Sequence, residues 1–140
     1  MVSQERPRFE GKLVTDDKVM TDLERVAASD PRYRLEAYLF LMSSLEYTAG
    51  KLGRRGHVSG RELLDGIKDL ARERFGPTAK IVLEHWGVTT TADFGEIVFN
   101  LVSAGVLGKT ESDSRDDFKD VYDFSEVFEK HFDWGVKGAT

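Results

Sequence analysis

Glu96 and Asn100 offer this chain its clearest opening for chemistry. An acid and an amide stand four positions apart, one helical turn, among Phe94, Ile97, Val98, Phe99, Leu101 and Val102. Two uses fit. The pair can be a core anchor, bonding each other, a neighbouring backbone, or Arg61 and Lys109. It can instead be the polar floor of a site, with Glu96 and His85 or Tyr122 as an acid–base pair. Polar residues set among so many large apolar ones are more often anchors, because a buried polar group must find a partner.

Other chemistries have weaker outlines. His57, His85 and His131 are far apart in sequence and show neither HExxH nor any paired-ligand spacing. His85 beside Glu84, at a helix end, suits the negative pole of the helix dipole. Asp113, Arg115 and Asp117 follow a calcium loop for three positions only. Phe118 stands where its glycine belongs and Phe124 where its terminal acid belongs. The chain has no cysteine nucleophile, no G-x-S-x-G elbow and no phosphate-cradling glycine loop. No catalytic residue, metal or cofactor is therefore expected. A basic turn, Lys51, Arg54, Arg55, His57 and Arg61, is the one candidate footprint for an anion or a nucleic acid, against the plainer reading of a solvated helix end.

Hydrophobic periodicity lays out the helices that carry these side chains. Val19, Met20, Leu23, Val26 and Ala27 recur at helical spacing over residues 16–28, and Pro31 closes that helix. Leu35, Tyr38, Leu39, Met42, Leu45, Ala49 and Leu52 fall on one stripe, ended by Gly53. Ser59 and Glu62 fit a capping box opening a helix that buries Leu63, Leu64, Ile67, Leu70 and Ala71, with Phe75 near its end. A short helix after Pro77 carries Ala79, Val82, Leu83 and Trp86 on its inner face, and Gly87-Val88 ends it. The helix from about Ala92 is apolar on two sides and is the central one. Gly105-Val106 closes it. Gly95 within it marks a point of close approach. Val106-Leu107 starts a short strand, and Phe118, Val121, Tyr122 and Phe124 suit a return strand. Ser125 then caps a last short helix. The order predicts a mainly α domain with a small β-ribbon, winged-helix-like. A flexible arm over 1–12, one globular domain over 13–134 and a flexible tail over 135–140 complete the plan.

At 140 residues, 40% hydrophobic and 32% charged, the composition is that of one soluble globular domain. No apolar run approaches the roughly 18 residues of a membrane-spanning helix. The polar start, Met1 to Arg8, lacks the apolar core of a secretion signal. With no cysteine a cytoplasmic setting is the default. The net charge of −5 is uneven. Residues 1–80 hold fifteen Lys/Arg against thirteen Asp/Glu, and residues 81–140 hold five against twelve. A polyanion would therefore have to meet the first half.

Over about residues 16–128 the chain resembles a small family of bacterial proteins of unknown function. The resemblance is carried by Asp30-Pro31-Arg32-Tyr33, Glu36-Ala37-Tyr38-Leu39-Phe40, Gly56-His57-Val58-Ser59-Gly60-Arg61-Glu62-Leu63-Leu64, Phe75-Gly76 and Trp86-Gly87-Val88. It continues through Asp93-Phe94-Gly95-Glu96-Ile97-Val98-Phe99-Asn100-Leu101-Val102 and Tyr122-Asp123-Phe124. It implies kinship and brings no catalytic residues with it.

A winged-helix plan invites nucleic-acid binding, yet its recognition helix, residues 92–104, has no Lys or Arg and carries Asp93 and Glu96. The supposed wing is acidic too. Both elements face a polyanion with the wrong sign. The aromatics Tyr122, Phe124, Phe128, Phe132 and Trp134 concentrate near the C-terminus, more than a short ribbon and helix can bury, and make a candidate interface. The expected function is a non-catalytic protein-interaction module, with a protein partner or homo-oligomer. A nucleic-acid-binding regulator is second, and an enzyme with a pocket at Glu96 and Asn100 third.

Overall fold

A computed structural model describes residues 2–3, 17–53, 57–110 and 113–130. The tail expected over 135–140 and nearly all of the arm expected over 1–12 lie outside them. Among the described residues are five α-helices: α1 (Asp17–Ser29), α2 (Leu35–Leu52), α3 (Gly60–Phe75), α4 (Ala79–His85) and α5 (Thr91–Ser103). The protein is mainly α-helical, as its periodicity predicts. No helix among these residues is long and apolar enough to cross a membrane.

The helix ends form where the sequence signals them. The Ser59 hydroxyl accepts from the Glu62 backbone N–H at 3.0 Å, while the Glu62 carboxylate accepts from the Ser59 N–H at 2.9 Å. Gly53 ends α2 in the left-handed region, φ 69°. Gly87 at φ 96° turns the chain after α4, and the Val88 N–H bonds back to the Leu83 carbonyl at 2.9 Å. Gly87 also has no room for a side chain: a Cβ there would sit 2.0 Å from the Arg32 carbonyl oxygen. The same fold-back recurs after α5, where the Val106 N–H reaches the Leu101 carbonyl at 2.9 Å.

The core is built around α2 and α5. Ala37, Tyr38, Leu41, Met42 and Leu45 of α2 are fully buried, with Phe94, Ile97, Val98 and Leu101 of α5. Leu63, Leu64, Ile67 and Ala71 of α3 and Val19 and Leu23 of α1 close the remaining sides. Helix α3 lies directly against α2 because Gly66 has no side chain; a Cβ there would fall 1.8 Å from the Thr48 hydroxyl oxygen. Gly95 allows a comparable approach of Phe118, whose Cβ would be 2.9 Å from an added methyl. Leu52, predicted on the inner stripe of α2, is instead exposed at the helix end.

The predicted return strand over Phe118–Phe124 does not form. Arg115–Phe118 winds as a 3-10 turn, and residues 124–130 continue as helix, with a π-helical turn over Glu126–Lys130. Local polar groups explain the difference. The Ser114 hydroxyl accepts from the Asp116 N–H at 3.1 Å, and the Asp117 carboxylate accepts from the Ser114 N–H at 3.1 Å. Thr91, fully buried at the start of α5, then donates its hydroxyl to the Phe118 carbonyl at 2.6 Å and accepts from the Val121 N–H at 3.1 Å. These are backbone groups that a strand ladder would have used. The two-residue strand that does follow α5, β2 (Gly108–Lys109), pairs antiparallel with β1 (Val2–Ser3), in register Val2 to Lys109. The final helical turn is capped by Asp123, whose carboxylate accepts from the Glu126 N–H at 3.1 Å, rather than by Ser125.

Candidate functional site

Asn100 and Glu96 separate in the fold. The Asn100 amide donates to the Asp30 carboxylate at 2.8 Å and to the Tyr38 hydroxyl oxygen at 2.9 Å. Asp30 lies in the turn between α1 and α2, and Tyr38 is one turn into α2. A single amide therefore ties three elements together. Glu96 lies at the rim, its side chain 32% exposed. One of its oxygens is 3.6 Å from the Arg32 guanidinium, and the other 3.3 Å from Arg115. Neither residue bonds Arg61 or Lys109, the cationic partners that the sequence proposes.

Around this pair the Asp30-Pro31-Arg32-Tyr33 turn is closely held. Asp30 receives the Arg32 backbone N–H at 3.2 Å and its guanidinium at 2.9 and 2.7 Å, a fork on both carboxylate oxygens. Arg32, helped by Asn100, holds the Asp30 carboxyl well below the usual carboxylate range despite partial burial. The Tyr33 hydroxyl donates to Asp93 at 2.6 Å, and the other Asp93 oxygen accepts from the Thr89 and Thr90 N–H groups at 2.9 and 3.2 Å. Burial works to raise the Asp93 carboxyl, but the bonds from Tyr33, Thr89 and Thr90 outweigh it and keep it low. Burial, then the adjoining Asp93, pushes the Tyr33 phenol up; burial does the same to Tyr38. Asp30 and Asp93 thus stay ionised, and the two phenols protonated, across the neutral range. Through these bonds the network clamps α5, the 30–33 turn and α2 together.

The clamp joins blocks that the sequence offers separately. Trp86-Gly87 meets the Arg32–Arg34 backbone, with the Arg34 N–H donating to the Trp86 carbonyl at 3.1 Å. Asp30, Arg32, Tyr33, Tyr38 and Arg115 are the partners that spacing could not supply, since Asp30 and Asn100 are 70 positions apart. A turn combining Asp, Pro, Arg and Tyr was the available signal.

Two residues of the basic turn, Lys51 and His57, meet acids. Lys51 donates to Asp69 at 3.1 Å and lies 5.6 Å from the Tyr47 ring centre. Asp69 accordingly raises its pKa. His57 faces Asp113 at 3.5 Å. Arg61 is exposed, and Arg54 and Arg55 lie outside the described residues. Among the described residues no three His, Cys, Asp or Glu side chains gather as metal ligands.

The C-terminal aromatics are redistributed. Phe124 and Phe128 belong to the core, their rings 5.5 Å apart, and Phe124 stands 6.2 Å from Phe94. Tyr122 is partly buried, its hydroxyl donating to the Leu64 carbonyl at 2.7 Å. The Arg72 guanidinium fixes the last turn through the Val127 carbonyl at 3.1 Å. Phe124 and Phe128 are thus buried and Tyr122 half-buried, and the turn Glu126–Lys130 docks on α4 and on the 3-10 turn Gly76–Thr78. Phe132 and Trp134 lie outside the described residues.

A different aromatic cluster reaches the surface. Phe40 of α2, Phe75 at the end of α3 and Trp86 after α4 pack with ring centres 5.5–5.7 Å apart. They floor an open apolar groove of ≈ 220 Å³, walled by Glu36, Leu39 and Ser43 of α2 and by Arg74 of α3. The sequence signal for it was Phe40, an aromatic off the inner stripe of its helix. A second, more polar cleft of ≈ 190 Å³ lies between Thr89–Thr91 and Asp120–Phe124. No family model, curated protein or solved structure matches the chain.

Proposed function

We propose that the chain is a cytoplasmic, non-catalytic protein-interaction module, and that the groove floored by Phe40, Phe75 and Trp86 is its contact surface. The supporting observation is the groove itself. Tryptophan and arginine are the residues that most often dominate binding energy, in pockets ringed by polar groups that exclude water. Trp86 and Phe75 are only half-buried here, beside the exposed Arg74 and Glu36. A clamp that fixes the Trp86-Gly87 turn to α2 presents this floor rigidly, which lowers the entropic cost of binding.

A winged-helix-like nucleic-acid binder has less support. Among the described residues the segment after α5 forms no hairpin, and α5 carries Asp93 and Glu96 on its outer side. An enzyme centred on Glu96 would need that carboxylate free for a substrate, and Arg32 and Arg115 occupy both of its oxygens.

Leu39→Lys tests the reading, because it places a charge in the groove wall and leaves the ring cluster intact. The variant is expected to keep the wild-type fold by circular dichroism and to lose complex formation by cross-linking and co-purification. Complexes unchanged by Leu39→Lys would sink the proposal.

A further inference from the structure

The two charged residues of the groove carry the interaction reading one step further. Glu36, Leu39, Phe40 and Ser43 stand at i, i+3, i+4 and i+7 along α2, so one wall of the groove is a single helical stripe. Arg74, Phe75 and Trp86 supply the facing wall and floor. One wall thus brings a carboxylate and the other a guanidinium, across an apolar floor. Among the described residues neither Glu36 nor Arg74 has an ion pair or a side-chain hydrogen bond. The groove thus carries one charge of each sign that is unpaired among the described residues, and two copies of the chain can exchange them. A two-fold axis running along the groove sets the α2 wall of each copy against the α3–α4 wall of the other. Glu36 of each then faces Arg74 of its partner, twice, with the aromatic floors apposed between them.

We infer that the occupant of the groove is a second copy of this chain, held as a two-fold dimer by apposed Phe40–Phe75–Trp86 floors and two reciprocal Glu36–Arg74 pairs. This rests on the interaction-module reading and names its partner. A foreign partner would need its own acid and base at matching positions, whereas this chain already has them. A stable interface buries about 1,600 Å², and one groove of this size is smaller. The association is accordingly weak.

Sedimentation equilibrium of the full chain from about 5 µM to about 1 mM reads the mass directly. The wild type is expected to pass from monomer to dimer over that range. Glu36→Lys or Arg74→Glu places like charges opposite each other in both reciprocal pairs, so each alone is expected to weaken the dimer about tenfold or more. The double variant Glu36→Lys/Arg74→Glu is expected to recover the wild-type constant to within about threefold, because the pairs re-form with signs exchanged. Both residues are exposed, and circular dichroism checks that each variant is folded. A chain that stays monomeric at about 1 mM overturns the second copy, as does a double variant no better than the single ones. If the wild type is monomeric and Leu39→Lys abolishes co-purification of a different protein, the second copy fails and the interaction reading stands. If Leu39→Lys alters neither self-association nor co-purification, both fail.

Discussion

At the scale of single residues, the decisive side chain is Asn100. Its amide hydrogens satisfy Asp30 and Tyr38 at once, so replacing it with an isosteric apolar residue leaves two partly buried polar groups short of a donor. Asn100→Leu is expected to destabilise the protein by about 2 kcal/mol, measured by urea unfolding; a change within error of zero would show that the clamp contributes nothing. Asp30 adds a pH signature. Its folded carboxyl is held far below the value of about 3.9 that it takes in an unfolded chain. The stability it brings is therefore complete above about pH 4 and is lost as pH falls through the folded value. The stability gap between wild type and Asp30→Asn should be flat from pH 7 to pH 5 and narrow steadily below about pH 4. A gap of equal size at pH 3 would refute the assignment. Comparing with the variant isolates Asp30 from Asp93, Asp22 and Asp113, whose carboxyls are also lowered in the fold.

At the level of elements, Thr91 holds a strand-like sequence in the turn that follows the 3-10 segment Arg115–Phe118. Val121 and Tyr122 favour strands locally, but one buried hydroxyl holds the Phe118 carbonyl and the Val121 N–H together. Thr91→Val keeps the shape and removes both bonds, and is expected to cost about 2–3 kcal/mol. Faster hydrogen exchange at the Val121 amide would mark the released turn. Unchanged exchange there would mean that Gly95 and Phe118 packing alone sets it. Helix ends were the best-read elements, since Ser59, Gly53, Gly87 and Gly105 act on residues within one turn of themselves. The burial of the C-terminal aromatics was not legible in this way, because Phe124 meets Phe94 of α5 and the turn carrying Phe128 docks on α4 and the Gly76–Thr78 turn, all distant in sequence.

At the scale of the whole molecule, charge and shape agree. The acidic second half places Asp93 and Glu96 along α5 and a run of aspartates after it, while the more basic first half has Lys51 neutralised by Asp69. Fluorescence anisotropy with duplex DNA at about 50 mM salt is expected to show no binding tighter than about 10⁻⁴ M. Micromolar, salt-sensitive binding would return the nucleic-acid reading to first place.

Periodicity and capping are set by neighbours a few residues away, and so the five helices, their ends and most of the core were legible without the fold. The sequence also singled out Glu96 and Asn100 as polar residues in need of an explanation. Their partners came from packing. Asn100 found Asp30 and Tyr38, 70 and 62 positions distant, and Glu96 turned outward to two arginines. The groove was likewise out of reach, since Phe40, Phe75 and Trp86 come from three separate elements. Hydrogen-bond partners and surface concavities depend on which helices cross, and that is settled by packing the whole core rather than by any local pattern.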